Sequence, residues 1–246
     1  MNPLISVMIG VYNAAPYLGE SIESVFDQDY RPLELIVVDD GSDDGSAEVA
    51  KGYPEVKYFY QENGGNGSAR NRAVEAATGD FYAFVDADDR FVPGKLALQY
   101  SVLQADPQLD MVFGHVREFF SPELDEETRS GLRPPAPEPM PWTAPNLMLI
   151  RSGSFARVGP FSTEFRVGVT VDWFARASEA GLRYAMLPET VLERRLHTQN
   201  NGLRERDARS QYLSVLRAAM QRRSAAAEAA TESAPEAPRP AAGHET

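Results

Sequence analysis

An apolar run, Phe81-Tyr82-Ala83-Phe84-Val85, ends abruptly in Asp86-Ala87-Asp88-Asp89. Side chains two apart on a strand share a face, so a strand that stops at Asp86-Ala87-Asp88 sets two hard oxygen donors on one side of its end. Such a pair suits Mg2+ or Mn2+ carrying a substrate phosphate, because these ions take one or two protein carboxylates and complete their shell with water and phosphate oxygens. The same residues also fit an acidic turn leading into a helix near Pro93. A second cluster, Asp39-Asp40-Gly41-Ser42-Asp43-Asp44-Gly45, follows Leu35-Ile36-Val37-Val38. It begins like a calcium loop, but Lys51 stands where that loop requires a bidentate Glu. A phospho-accepting receiver domain would carry its acidic pair after the first strand, and a dinucleotide fold would carry Gly-x-Gly-x-x-Gly there. The chain has Gly10-Val11-Tyr12-Asn13 instead. What remains is a nucleotide pocket, with a carboxylate accepting from base or ribose and Tyr12 near the ring, or a plain turn in which Asp43 caps a helix. Gly64-Gly65-Asn66-Gly67-Ser68-Ala69-Arg70-Asn71 reads as a loop entering a helix, where free N–H groups and Arg70 can meet anionic oxygens. A turn with Arg70 on a solvated face fits equally.

Chemistry at these points depends on the elements that carry them. Short β-rich runs at residues 4–11, 33–38, 56–60 and 80–85 alternate with helical patterns at 15–26, 43–51 and 68–77. This alternation predicts an α/β fold, a mostly parallel sheet covered by helices on both faces. Ligands of such sheets lie beyond the carboxyl ends of the strands. Tyr12, Asp39-Asp40 and Asp86-Ala87-Asp88 each follow a strand, so one sheet edge is expected to gather them. From 118 to 145 the pattern dissolves into acidic and Pro-rich runs, and a flexible loop is expected there. A helix is predicted over 171–180, stopping at Gly181. Residues 203–223 form an Arg-rich helix candidate with Leu213, Leu216 and Met220 on one side. It either packs on the domain or meets an anionic membrane carrying a lipid-linked acceptor. The Ala-, Glu- and Pro-rich stretch 224–246 has too little apolar surface to offset its ordering entropy, and a disordered tail is expected.

At 246 residues and 43% hydrophobic content, the chain suits one domain plus tails. A formal net charge of −12 disfavours nucleic acid as a partner, while a divalent cation can still neutralise a nucleotide diphosphate locally. The absence of cysteine excludes disulfides and thiolate metal sites. The N-terminus lacks a signal-peptide pattern, and no apolar run approaches the roughly 20 residues of a membrane span. A soluble, cytoplasmic protein is expected.

Taken in order, Ser6-Val7-Met8-Ile9-Gly10-Val11-Tyr12-Asn13, Ser24-Val25-Phe26-Asp27-Gln28-Asp29-Tyr30, the segment from Leu33 to Gly45, the segment from Asn63 to Asn71 and the run Gly79 to Asp89 resemble the glycosyltransferase family 2 enzymes. The resemblance covers roughly residues 3–200. It implies the GT-A fold, a Rossmann-like, mostly parallel central sheet flanked by helices with a C-terminal acceptor-side segment. The GT-A domain would then span 1–202, with 118–145 on the acceptor side. It also implies a nucleotide-sugar donor, expected to be a UDP-sugar, and an acceptor left open among a glycan, a lipid-linked sugar, a peptide and a small molecule. Tyr12 and Asp40 would contact the base, Asp86 the ribose and Asp88 the metal-bound diphosphate. Arg70 would lie beside the donor pocket, and Val11, Asn13 and Ala87 would complete its lining. The family often has Pro or Thr where Gly10 stands. Its acceptor-side carboxylate, commonly the Asp of a Glu-Asp pair, matches Asp172, with Val171 in place of the Glu. Asp172 is therefore the expected general base of an inverting single displacement. Arg194-Arg195-Leu196-His197-Thr198-Gln199-Asn200-Asn201 resembles the family's late basic-His-Asn segment, which implies His197 as a metal or diphosphate contact and Mn2+ or Mg2+ as the cofactor. The altered residue before Asp172 motivates an alternative, a non-catalytic nucleotide-sugar-binding module on the same fold.

Overall fold

A computed structural model describes residues 2–165, 167–200, 213–215, 217–222 and 224. The chain runs β1 (Ile5–Val11), α1 (Ala15–Phe26), β2 (Leu33–Asp39), α2 (Ser46–Lys51), β3 (Val56–Tyr60), α3 (Asn66–Ala76), β4 (Phe81–Phe84) and β5 (Arg90–Phe91). It continues through α4 (Lys95–Ala105), β6 (Met111–Phe120), α5 (Glu126–Gly131), β7 (Met140–Pro141), β8 (Leu149–Arg151), α6 (Ser152–Val158), α7 (Val169–Glu179) and β9 (Tyr184–Leu196). One sheet orders the strands β3-β2-β1-β4-β8-β6-β9-β5, with β7 added to β6. β3, β2, β1 and β4 are mutually parallel, while β8 runs antiparallel between β4 and β6. Ile5, Val7, Met8, Ile9 and Val11 of β1 and Leu35 to Val38 of β2 are buried, so both faces of this half need cover. α1 covers one of them with Leu18, Ile22 and Val25, spaced at helical intervals.

Register decides where the acidic residues emerge. Val11 lies opposite Asp39, and Asp40 N–H donates to Val11 O at 2.8 Å. Val85 N–H donates to Met8 O at 3.0 Å, which sets the exit of β4 beside that of β1. Tyr12, Asp40 and Asp86 therefore leave the sheet at one edge, as the alternation predicted.

The segment 118–145 departs from expectation. β6 runs on to Phe120, Asp125 caps α5 by accepting from Thr128 N–H, and β7 pairs with β6. The anchor is Glu118, whose side chain is fully buried; it takes a two-pronged contact from Arg133, a hydrogen bond from Arg194 at 3.0 Å and one from Ala136 N–H at 3.2 Å. Burial alone would raise the pKa of Glu118, but these donors prevail and hold it below the usual carboxylate range. One carboxylate thus orders a stretch whose local sequence predicts a flexible loop.

The helical residues 213–215, 217–222 and 224 dock on the domain through buried Val215, with Leu213 and Met220 exposed. Leu216, residues 203–212 and the tail expected over 225–246 lie outside the described residues. No helix among the described residues is long and apolar enough to cross a membrane.

β9 carries extra residues opposite Gly114, which produces register shifts against β6. A Cβ at Gly114 would lie 2.6 Å from Val191 Cγ1 and 2.9 Å from Glu189 O. Gly114→Ala is therefore expected to destabilise the domain by about 1–3 kcal/mol, as overpacking of a buried site does, read as a lowered melting temperature.

Candidate active site

The strand exits border a cleft of about 600 Å³. Val11, Tyr12, Asn13, Asp40, Arg70, Asp86, Ala87, Asp88 and His197 all line it. Tyr12 is exposed. Asn13 adopts φ +52°, a left-handed conformation that Asn tolerates better than most residues. Its Oδ1 accepts from Asp43 N–H at 2.9 Å and its own N–H donates to Ser42 Oγ at 3.1 Å, so the exits of β1 and β2 are tied together. Asp43 thus serves this tie, while Asp39 is buried, accepting from Ser42 N–H and the Tyr58 hydroxyl.

Asp40 organises the loop before α3. Its Oδ1 accepts from Gln61 Nε2 at 2.7 Å and Gly64 N–H at 2.8 Å, and its Oδ2 accepts from Gly65 N–H at 2.8 Å. Gly65 makes this possible by taking φ +85°, which L side chains rarely adopt. Arg70 does not face solvent: it is buried on α3, with Nη2 donating to Asp86 Oδ1 at 2.7 Å and its guanidinium 5.6 Å from the Phe161 ring centre.

The three carboxylates after β4 have separate environments. Asp86 accepts from Arg70 on one oxygen and from Asn146 Nδ2 on the other at 2.9 Å. Asp88 Oδ2 lies 2.9 Å from His197 Nε2 and accepts from Asn200 Nδ2 at 3.2 Å. Asp89 is buried as a brace, Oδ1 on Arg195 N–H at 3.0 Å and Oδ2 on Asn146 Nδ2 at 3.0 Å. Burial pushes Asp89 well above the usual carboxylate range, and the charges of Asp88 and Asp86 add to this. His197 is itself fixed: the Tyr17 ring packs 4.6 Å from its ring, and its backbone N–H donates to Asn200 Oδ1 at 2.8 Å.

Asp172 stands apart from this group. The residues just before it, Val167 to Val171, line the cleft, and Val171 is exposed there. Asp172 itself does not line the cleft; it is 3% exposed and turned toward the face of α7 that also buries Val169, Trp173 and Ala177. Its Oδ2 accepts from Arg176 Nε at 2.9 Å and its Oδ1 from Arg222 Nη1 at 3.1 Å. In this arrangement the helical phase points Asp172 beneath the wall, and two guanidinium groups sit on its oxygens.

Residues 6–165 match the family model for Glycosyl transferase family 2. The chain belongs to that family. Over 112 residues this family 2 chain is 38% identical to an uncharacterized glycosyltransferase of Rickettsia typhi, covering 45% of the chain and 35% of the relative. It is 45% identical over 93 residues to the uncharacterized glycosyltransferase YibD of Escherichia coli, covering 36% of the chain and 27% of that protein. The chain thus spans only about a third of the length of such relatives. Among solved structures, the mannosyltransferase PcManGT of Pyrobaculum calidifontis in complex with GDP-Man and Mn2+ aligns with a TM-score of 0.65 at 23% identity, over 87% of this chain and 62% of that one. Residues 1–349 of S. aureus TarS in complex with UDP-GlcNAc align with a TM-score of 0.64 at 20% identity, over 80% and 59%. These likenesses establish the GT-A fold.

Two residues that shape the family 2 cleft carry no signal of their role in the sequence. Asn146 follows a Pro-rich stretch and belongs to no motif, yet one amide bridges Asp86 and Asp89. Arg195 belongs to the basic run before His197, whose pattern assigns it no partner; its Nε donates to Asp88 O at 3.1 Å and its Nη2 to Glu20 Oε2 at 2.7 Å. Asn146→Leu keeps the volume but strips both carboxylates of a shared donor. It is expected to cost about 2–3 kcal/mol of stability, read by thermal denaturation, and to weaken nucleotide binding measured by calorimetry.

Proposed function

We propose that this chain moves a sugar from a nucleotide-sugar donor to an acceptor across the cleft, with inversion at the anomeric carbon. The observation that carries the reading is the facing pair Asp88 and His197, on the same cleft edge as Asp86, Asp40 and the exposed Tyr12. TarS in complex with UDP or UDP-GlcNAc and PcManGT in complex with GDP-Man support a nucleotide-sugar, and a UDP-sugar is the donor we favour. The Tyr12 ring offers an aromatic face to the base. Asp40 Oδ2 takes a single N–H, from Gly65, and Asp86 takes one on each oxygen, so both keep lone pairs for donors on base and ribose.

A divalent cation fits the donor set. Among the described residues no three His, Cys, Asp or Glu side chains gather tightly enough to hold a metal by themselves. Asp88 Oδ2 and His197 Nε2 are nevertheless 2.9 Å apart, near the ~3.0 Å edge of an octahedron with bonds of about 2.1 Å, and such ions draw their other ligands from phosphate and water. Held by Asp88 and His197, Mn2+ or Mg2+ would offset the negative charge that grows on the departing diphosphate. Arg194, also on the cleft wall, adds fixed positive charge.

Asp172 is the base we propose for the acceptor, carried one residue beyond the cleft-lining turn of α7. The acceptor hydroxyl oxygen bonds to the anomeric carbon as the bond to the diphosphate breaks, and Asp172 takes the hydroxyl proton. The products are an inverted glycoside and a nucleoside diphosphate. The burial of Asp172 favours a second reading, in which the chain binds nucleotide-sugars without turning them over. Release of nucleoside diphosphate from a panel of nucleotide-sugars with Mn2+ separates the two.

Two variants test the assignment. Asp88→Ala should lose the Mn2+-dependent thermal stabilisation by donor, which for wild type amounts to about 2.7 kcal/mol at a hundredfold excess over Kd. Asp172→Asn should keep that stabilisation and lose about a hundredfold or more in turnover. Wild-type turnover in Asp172→Asn would move the base elsewhere.

A further inference from the structure

The two guanidinium groups on Asp172 are held differently. Arg176 belongs to the wall: while its Nε binds Asp172 Oδ2, its Nη1 donates to Val158 O at 2.8 Å and its Nη2 to Pro160 O at 2.7 Å. Arg222 arrives from the C-terminal helical residues and, among the described residues, hydrogen-bonds only to carboxylates, with Nη1 on Asp172 Oδ1 at 3.1 Å and Nε on Glu179 Oε2 at 3.0 Å. Its Nη2 is buried without a hydrogen-bond partner among the described residues, and its side chain is 34% exposed. The segment that carries it is docked inward by Val215 and leaves Leu213 and Met220 exposed. Oδ2 is thus committed to the body of the domain, whereas Oδ1 is capped by a side chain from beyond it.

We propose that Arg222 is a positioning residue that latches Asp172: docked, it occupies Oδ1 and covers the carboxylate, and undocked, it opens that oxygen to receive the acceptor proton. The proposal rests on Asp172 being the base in the reading above. With Arg222 docked, one lone pair of Oδ1 is taken and the Asp172 side chain is only 4% exposed, so a hydroxyl has no approach to the other. Release is feasible because each Arg222 contact is a single hydrogen-bonded ion pair, the Arg222 side chain is 34% exposed although Asp172 is buried, and Nη2 of the docked form has no partner among the described residues. Arg176 stays in both states and keeps Asp172 oriented. Because only the undocked state can engage an acceptor hydroxyl, acceptor binding draws the equilibrium toward it. Asp172 and the C-terminal helix thereby become one device, and the cleft is closed to transfer until the latch lifts.

The test uses the full chain as wild type, Arg222→Ala, Arg222→Lys, Asp172→Asn and the Arg222→Ala/Asp172→Asn double variant. UDP-glucose, UDP-N-acetylglucosamine and GDP-mannose with Mn2+ are the probes, nucleoside diphosphate release to water is the activity, and carbodiimide labelling of Asp172 followed by mass spectrometry reports its exposure. Arg222→Ala should raise the labelling rate and kcat by about three- to tenfold, the hold of two ion pairs made by a partly exposed guanidinium, with the KM for donor unchanged. Arg222→Lys should return both toward wild type, and the double variant should lose the gain. If Arg222 is a structural staple alone, Arg222→Ala lowers the melting temperature while labelling and kcat stay at wild-type values; with an inactive Asp172→Asn, that result overturns the latch and leaves the base in place. Wild-type turnover in Asp172→Asn overturns the base assignment and the latch together.

Discussion

Three carboxylates within four residues, Asp86, Asp88 and Asp89, are the constraint around which the cleft is built. Like charges at such spacing repel, and the chain meets the repulsion by giving each group different partners. Arg70 reaches Asp86 from α3, His197 and Asn200 reach Asp88 from beyond β9, and Arg195 N–H closes on the buried Asp89. Asn146 stands between two of them with one amide group. The turn after β4 holds its shape only when elements from three distant parts of the chain are in place.

The same reliance on a buried carboxylate recurs at the cleft edge. Glu118 draws Arg133 and Arg194 onto itself, and Arg194 carries the Trp142 ring at 4.8 Å. Segment 118–145 is thereby linked to a residue that lines the cleft. Tyr17 extends this connection, because its ring packs on His197 while its hydroxyl donates to Glu123 at 2.8 Å. Residues that contact nothing in the cleft thus position those that do.

Helix α7 shows how a one-residue change of helical phase alters chemistry. Val171 faces the cleft and Asp172 faces inward, since adjacent helix positions are about 100° apart around the axis. A carboxylate at the inward position must be paired, and Arg176 and Arg222 supply the pairs. An isolated motif match locates the residue along the chain; its direction depends on how the helix is seated by Trp173, which is fully buried and stacked on Phe155.

By itself the sequence determined the α/β alternation, the edge of the sheet at which Tyr12, Asp40, Asp86 and Asp88 emerge, and the family. These follow from local rules, namely the two-residue period of strands, helical periodicity and the abrupt end of an apolar run in acid. Tertiary structure alone decided that Arg70 is paired with Asp86, that Asn146 braces two aspartates, that residues 118–145 are ordered on Glu118 and that Asp172 lies beneath the wall. The partners in those contacts lie 15 to 76 residues apart for Arg70–Asp86, Asn146 and Glu118. No local pattern encodes a distance between side chains whose proximity exists only after the chain has folded.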